Sequence, residues 1–350
     1  MGRTQPSLTN RAPPSHRKDV RAKKARATIN KLIPSLLSTH PRARDGIAAS
    51  QLLTPSTFSF TSPPSSSSKN EAPAITLRVC TTLSAAHTLV STDLSNRRAR
   101  VAVLNMASPL SPGGGFLNGA TAQEEYLCMR TTLLPSLRDE FYRLPEVGVV
   151  WTPDVLVFRD DKGEDLKKGE RWFVDVVSGA MLRGPETEGE RYASARDREV
   201  VEEKMRFLMG VLKEKGTKKV VLGAWGCGAY GNPVGEVARA WRAVLLSGKG
   251  WGVEEVVFAI SERGVAERFG EAFGEGMVKV EEADGEQAEE EEEEEEEDGE
   301  GQEVRDLEAR IAELEASIGQ ARSTQLREGL VRVVAGLKER LRGAKGDDGE

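Results

Sequence analysis

Residues 100–126 read Arg100-Val-Ala-Val-Leu104-Asn105-Met-Ala-Ser108-Pro-Leu-Ser-Pro-Gly113-Gly114-Gly115-Phe116-Leu-Asn118-Gly119-Ala-Thr-Ala-Gln123-Glu124-Glu125-Tyr126. The apolar run Arg100 to Leu104 ends at Asn105 in the manner of a buried strand. A glycine-rich loop follows, where backbone can approach a ligand closely and adopt positive φ. Gln123 then opens a stretch that reads as a helix to Leu137, with two adjacent acids in its first turn. Strand, glycine loop and helix in this order are the repeating unit of an α/β fold, whose ligands bind beyond the carboxyl ends of the strands.

The same alternation continues in both directions. Ile75–Cys80 reads as a strand and Leu83–Leu94 as a helix. Val149–Trp151 and Val155–Phe158 read as two strands around a Pro-Asp turn, and Arg171–Val177 as another. Ala193–Lys215 has a helical apolar stripe, Lys219–Leu222 is a strand, and Val234–Leu246 a helix. Val256–Ile260 and Val265–Phe273 close the pattern with a strand and a helix. These elements predict an α/β domain over residues 16–280, with a mixed or mainly parallel sheet flanked by helices.

The flanks differ in composition. Residues 1–15 read as a disordered basic segment. From His16 to Ser38, Ile29, Leu32, Ile33, Leu36 and Leu37 recur at helical spacing, with Pro34 expected to kink or split the helix. Residues 54–73 are rich in Ser, Pro and Thr and read as a flexible insertion. Residues 281–303 read as a disordered acidic linker, with Glu289–Asp298 unbroken. Within a helical segment at 304–342, Val304, Leu307, Ile311, Leu314 and Ile318 follow two heptads. Self-association through 304–318 is one reading of that seam; a helical hairpin or a helix docked on the domain is the other. Residues 343–350 read as a disordered tail.

The first 44 residues carry eleven Lys/Arg against one acid, Asp19, whereas residues 281–300 carry fifteen acids and no base. The chain is net −7, so without that tract the remainder is net +8, which suits an anionic ligand. The acidic run is expected to be a solubilising linker, with basic partners such as histones as the alternative. Cys80, Cys128 and Cys227 lie far apart, and there are three histidines. This pattern speaks against a zinc site or a disulfide framework and fits a reducing compartment. The N-terminus lacks the apolar core of a secretory signal, and no run is long enough for a membrane helix. An intracellular protein is expected. Nucleus, cytoplasm and mitochondrion stay open: the Arg/Ser-rich start resembles a transit peptide, and Lys18–Arg26 an import patch.

A second glycine-rich loop, Gly223-Ala-Trp225-Gly226-Cys227-Gly228-Ala229-Tyr230-Gly231-Asn232-Pro233, joins a predicted strand to a predicted helix. Small residues there expose N–H groups, and the helix start adds its positive dipole end; together these bind phosphate. No Walker lysine is present, and no acid stands where a dinucleotide ribose would need one, so nucleoside triphosphate hydrolysis and dinucleotide binding are disfavoured. The two loops are expected to converge on one crevice with a diphosphate between them. Asn105 reads either as a sugar-hydroxyl partner or as a turn-initiating residue. Glu124 and Glu125 should point about 100° apart on a helix. They therefore read as two carboxylates with separate tasks, not as a dyad sharing one proton.

Gly113-Gly114-Gly115, seven residues, then Gln123-Glu124-Glu125 is similar to the signature of poly(ADP-ribose) glycohydrolases. The resemblance is to the microbial-type catalytic domain, a variant of the macrodomain fold. Arg97–Ser108, Val155–Asp160, Val174–Ala180 and the 223–230 loop resemble that family in order, and the basic helix near 17–38 resembles its N-terminal extension. The resemblance implies hydrolysis of ribose–ribose O-glycosidic bonds from chain ends, with Glu125 as general acid and Glu124 holding the ribose hydroxyls. It implies that Asn105 contacts the distal ribose. Gly113, Gly114, Gly115, Gln123, Gly226, Cys227, Gly228, Ala229 and Tyr230 would line the ligand, with the diphosphate on the glycine backbones and Tyr230 packed beside it. It further implies poly(ADP-ribose) and ADP-ribosylated proteins as partners, neither membrane nor sequence-specific nucleic acid, and no metal or redox cofactor. The alternative is a macrodomain reader that binds ADP-ribose without turnover.

Overall fold

The computed structural model describes residues 14–58, 72–91, 101–280, 311, 327, 331 and 333–338. The elements run α1 (Pro14–Ala27), α2 (Ile33–Thr39), α3 (Pro41–Ala48), β1 (Gln51–Leu53), β2 (Ala74–Arg78), α4 (Thr82–Ser91) and β3 (Val101–Met106). They continue with α5 (Gln123–Arg130), β4 (Val149–Val157), β5 (Trp172–Gly179), β6 (Thr187–Glu188), β7 (Arg191–Tyr192) and α6 (Ala195–Glu214). The last are β8 (Lys219–Leu222), α7 (Val234–Leu245), β9 (Glu255–Ala259), α8 (Arg263–Phe273) and β10 (Val278–Val280). Two compact units result: residues 1–59 with 100–180, and residues 60–99 with 181–350.

In the first unit the strands lie in the order β1-β4-β5-β3. β1 and β5 flank β4 antiparallel, and β3 runs parallel to β5, with Asn105 opposite Ser178. In the second unit β8-β9-β2-β10 are all parallel. The predicted α/β class, mixed and mainly parallel with flanking helices, is borne out. Parallel strands buried on both faces need near-continuous apolar sequence. Val101–Leu104 and Val220–Leu222 supply it and are at most 5% exposed.

Several elements differ from the sequence reading, each for a local reason. Pro34 does not split the N-terminal helix. A π turn, Thr28–Leu32, joins α1 to α2, and Pro34 sits in the first turn of α2, where its missing N–H is not needed. α5 stops at Arg130, short of Leu137. Thr131 takes an extended conformation and bridges to Val157, and the Leu156 N–H donates to Thr132 Oγ1 at 3.0 Å. Val149–Val157 is one strand with a bulge at Pro153-Asp154. Asp154 holds φ 54°, its N–H donates to Asp175 Oδ1 at 2.9 Å, and its carboxylate accepts from Arg42 Nε at 2.8 Å. α3, β1, β10 and the β6–β7 hairpin were not foreseen; all are short, and short elements carry little periodicity.

α2 and α3 close over β4. Ile33, Leu36, Ala43, Leu156 and Phe158 form one buried cluster, with Ile29, Leu32, Leu37 and Phe173 packed on it. Each large side chain buried there contributes on the order of 1.5–3 kcal/mol. In the second unit Trp225 stacks on Trp241 at 6.2 Å, and Phe258 meets Phe269 at 4.8 Å. Among the described residues no helix is long and apolar enough to cross a membrane.

Of the insertion at 54–73, residues 54–58 form a hydrogen-bonded turn and 59–71 lie outside the described residues. The segments 1–13, 281–303 and 343–350 lie outside them too. So does the heptad seam, apart from Ile311, which is helical and buried.

Candidate active site

α5 begins just past the glycine loop, and its first turn supplies both acids. Gln123 ties that turn to β3: its Oε1 accepts from the Met106 N–H at 2.9 Å, and its Nε2 donates to the Leu104 carbonyl at 2.8 Å. Gln123 is thus a positioning residue that completes the edge of β3 and aims the next two side chains.

Those side chains do not diverge. Glu124 and Glu125 are 3% and 6% exposed. Both converge on Gly114: a Cβ there would lie 2.5 Å from Glu125 Oε1 and 3.1 Å from Glu124 Oε2. Gly113 and Gly114 hold φ 69° and 54°, so the close approach and the left-handed turns both require glycine. The adjacency that suggested separation holds within a helix body. In the first turn, long side chains can reach back to N–H donors of the preceding strand end and loop, and these do. The Gly115 N–H donates to Glu125 Oε1 at 2.6 Å, and the Ser108 N–H to Glu124 Oε2 at 2.7 Å. Asn105 Nδ2 donates to Glu124 Oε1 at 3.3 Å and to Ser178 Oγ at 3.0 Å. The expectation that the glycine N–H groups of this loop cradle a diphosphate is corrected at Gly115: its donor faces a carboxylate.

Burial, and then the charge of Glu125, push Glu124 up to about 8, against the pull of the Ser108, Asn105 and Gly113 donors. The charge of Glu125 acts on the titration of Glu124, so the two acids share the steps of their titration. One proton therefore stays on the pair at neutral pH. Both oxygens of Glu124 accept N–H groups, and Glu125 Oε1 accepts that of Gly115. Beneath them Cys128 is buried, and burial followed by the two glutamates pushes its thiol well up, so it stays neutral.

Asn105 is fully buried, and its Oδ1 has no hydrogen-bond partner among the described residues. An orphaned buried acceptor costs about 1–3 kcal/mol, and a ligand hydroxyl would relieve it. Ser108 and Ser178 complete this shell and were not singled out in the sequence; a backbone N–H and a cross-strand partner have no motif of their own.

The N-terminal helix braces the loop. Ala22 and Ala25 are buried, and α1 approaches so closely that a Cβ on Gly119 would lie 2.3 Å from the Lys18 carbonyl oxygen. Arg21 Nε donates to the Gly119 carbonyl at 2.8 Å, and Lys24 Nζ to that of Gly163 at 3.0 Å. Buried Arg159 joins the π turn to α5, donating to Thr28 Oγ1 at 2.9 Å and to the Met129 carbonyl at 2.6 Å.

The second loop lies in the other unit. Gly226 holds φ 80°, and a Cβ there would meet Asn232 Nδ2 at 2.6 Å. Asn232 ties the loop together, donating to the carbonyls of Leu182 at 2.7 Å and Gly226 at 2.9 Å and accepting from Tyr192 Oη. Among the described residues the N–H groups of Gly226, Gly228 and Ala229 have no backbone acceptor, which leaves three donors for an anion. The Tyr230 carbonyl accepts from the Gly184 N–H at 3.0 Å. Burial pushes Cys227 up to about 12, so it is a neutral thiol and not a nucleophile.

A mixed α/β fold with a buried acid pair at the carboxyl end of a strand, under a glycine loop, defines a macrodomain-like class with an acid–base site. Within that class, residues 39–160 match the family model for the catalytic domain of microbial-type PARG, poly(ADP-ribose) glycohydrolase. The resemblance read from the triple glycine and Gln123-Glu124-Glu125 is thereby borne out. The solved structure of PARG from Thermomonospora curvata is 26% identical, with TM-score 0.61 over 74% of this chain and 99% of that one. Its form bound to the inhibitor ADP-HPD is 26% identical, with TM-score 0.57 over 73% and 98%. PARG from Deinococcus radiodurans in complex with ADP-ribose is 26% identical, with TM-score 0.52 over 67% and 96%. No curated protein matches the chain.

Proposed function

We propose that this chain is a poly(ADP-ribose) glycohydrolase that cleaves ribose–ribose O-glycosidic bonds from chain ends and releases ADP-ribose. The observation that carries the reading is the buried pair on α5, with the Gly115 N–H on Glu125 Oε1. Glu125 gives a proton to the departing ribose oxygen as the glycosidic bond breaks. The reaction passes through an oxocarbenium-like state. Glu124, as carboxylate, holds the ribose hydroxyls, and Asn105 Oδ1 accepts a hydroxyl of the distal ribose. The N–H groups of Gly226, Gly228 and Ala229 are donors suited to a diphosphate. Tyr230 packs beside it. Water adds to the anomeric carbon and returns a proton to the pair. A reader would need no such acid pair.

Incubation of the full chain with automodified poly(ADP-ribosyl) acceptor, followed by product analysis, tests this. Free ADP-ribose as the first product is the expected outcome. Oligomers as first products would overturn the chain-end reading, and bound but intact polymer would overturn hydrolysis.

A further inference from the structure

We propose that the outward face of α1 and the π turn, with Lys23, Arg26 and Lys31 in line, holds the polyanionic chain beyond the unit being cleaved; this rests on the hydrolase reading above. Residues 17–31 contain seven Lys/Arg and one acid, Asp19. Four of the seven have partners in the fold: Arg21 and Lys24 hold the carbonyls of Gly119 and Gly163, and Arg17 and Lys18 are also engaged. Lys23, Arg26 and Lys31 are exposed, and among the described residues none of the three makes an ion pair or hydrogen bond.

Their spacing follows the helix they stand on. Lys23 and Arg26 are three apart on the α-helical part, so they are neighbours on one face. Arg26 and Lys31 are five apart, but the π turn Thr28–Leu32 has an i→i+5 repeat, which brings Lys31 about one turn beyond Arg26. The three charges thus form a stripe about 12 Å long. The opposite face, with Ala22, Ala25 and Thr28, is buried. Through Lys18 and Arg21 this helix sits directly on Gly119, at the end of the loop that carries Gly114 over the acids. The charges therefore flank the cleavage loop. A poly(ADP-ribose) chain carries a diphosphate in every unit, so a basic stripe there is complementary to the polymer and not to a single unit.

Basic contacts to a flexible polyanion release counterions, with a slope of about −0.7 per contact in log affinity against log salt. The test compares the full chain with its Lys23→Gln/Arg26→Gln/Lys31→Gln form. Affinity for long polymer is measured by fluorescence anisotropy, both proteins also carrying Glu125→Gln so that the polymer persists. Between about 50 and 200 mM salt, the protein that keeps the three charges should lose roughly twentyfold more affinity than the triple form. At low salt it binds long polymer more tightly, and both bind an ADP-ribose dimer equally. In the parallel assay without Glu125→Gln, the triple change raises KM on long polymer and leaves kcat and dimer turnover intact. Equal salt slopes overturn the proposal, as does a matching loss on the dimer. Tighter binding of polymer after the triple change also overturns it, and would give this face to the acidic run 281–300 of the same chain. Absence of turnover in the unsubstituted chain would sink the hydrolase reading instead, a result distinct from any of these.

Discussion

Glu125→Gln lowers release of ADP-ribose from poly(ADP-ribose) by about 10²–10⁴-fold, the range set by loss of a general acid, while ADP-ribose still binds. The substitution is close to isosteric. The amide oxygen can accept the Gly115 N–H in place of Oε1, so the loop keeps its anchor. The amide nitrogen takes the place of Oε2, and an amide cannot release a proton at neutral pH. Single-turnover release and equilibrium binding, measured on the same preparation, separate the outcomes. Near-parental release would remove Glu125 from the acid role. Loss of binding together with release would show that the side chain holds the loop and not the proton.

Gly114→Ala removes nearly all turnover by a different route. The new Cβ would stand 2.5 Å from Glu125 Oε1 and 3.1 Å from Glu124 Oε2, at φ 54°. The backbone cost of an alanine in that region is roughly 1–2 kcal/mol, and the carboxylates must shift by about an ångström to make room. Misplacement of that size costs about 10²-fold in rate. A kcat about a hundredfold lower is expected, with a melting temperature lowered by a few degrees. Gly169→Ala is the control. Nothing lies within 4 Å of its would-be Cβ, so rate and melting temperature should both stay unchanged. A Gly114→Ala protein with parental kcat would mean that the acids need not converge beneath the loop.

Where the sequence carried the fold, it did so through long signals. The apolar runs of β3, β8 and β9 and the stripe of α6 repeat a pattern often enough to be read, and each stands within a few residues of its predicted place. Boundaries failed where tertiary contacts override local preference. Thr131 leaves α5 because Thr131 and Thr132 are captured along β4, and Asp154 becomes a bulge because Arg42 and Asp175 hold it. At the site the residue types were legible and their coupling was not. Glycine loop, Gln123 and paired glutamates stand contiguous in the chain. Their convergence on Gly114 depends on Ser108, Gly115 and Asn105, which act through backbone donors and a strand register. Helix α1 showed its charge in the sequence, but its seat on Gly119 rests on the small side chains Ala22 and Ala25, which look unremarkable in one dimension.

The central claim is that the buried pair on α5 keeps one transferable proton. The pH profile of single-turnover ADP-ribose release tests it most directly, on protein shown to be folded at each pH. The active form is the protonated pair. Within the pair the Glu124 carboxyl is raised from an ordinary 4.5 to about 8, so a proton is present at neutral pH and lost as pH rises through about 8. The predicted rate is level around neutrality and then falls about tenfold per pH unit above 8. A rate that stays level or rises between pH 8 and 10 would contradict the account.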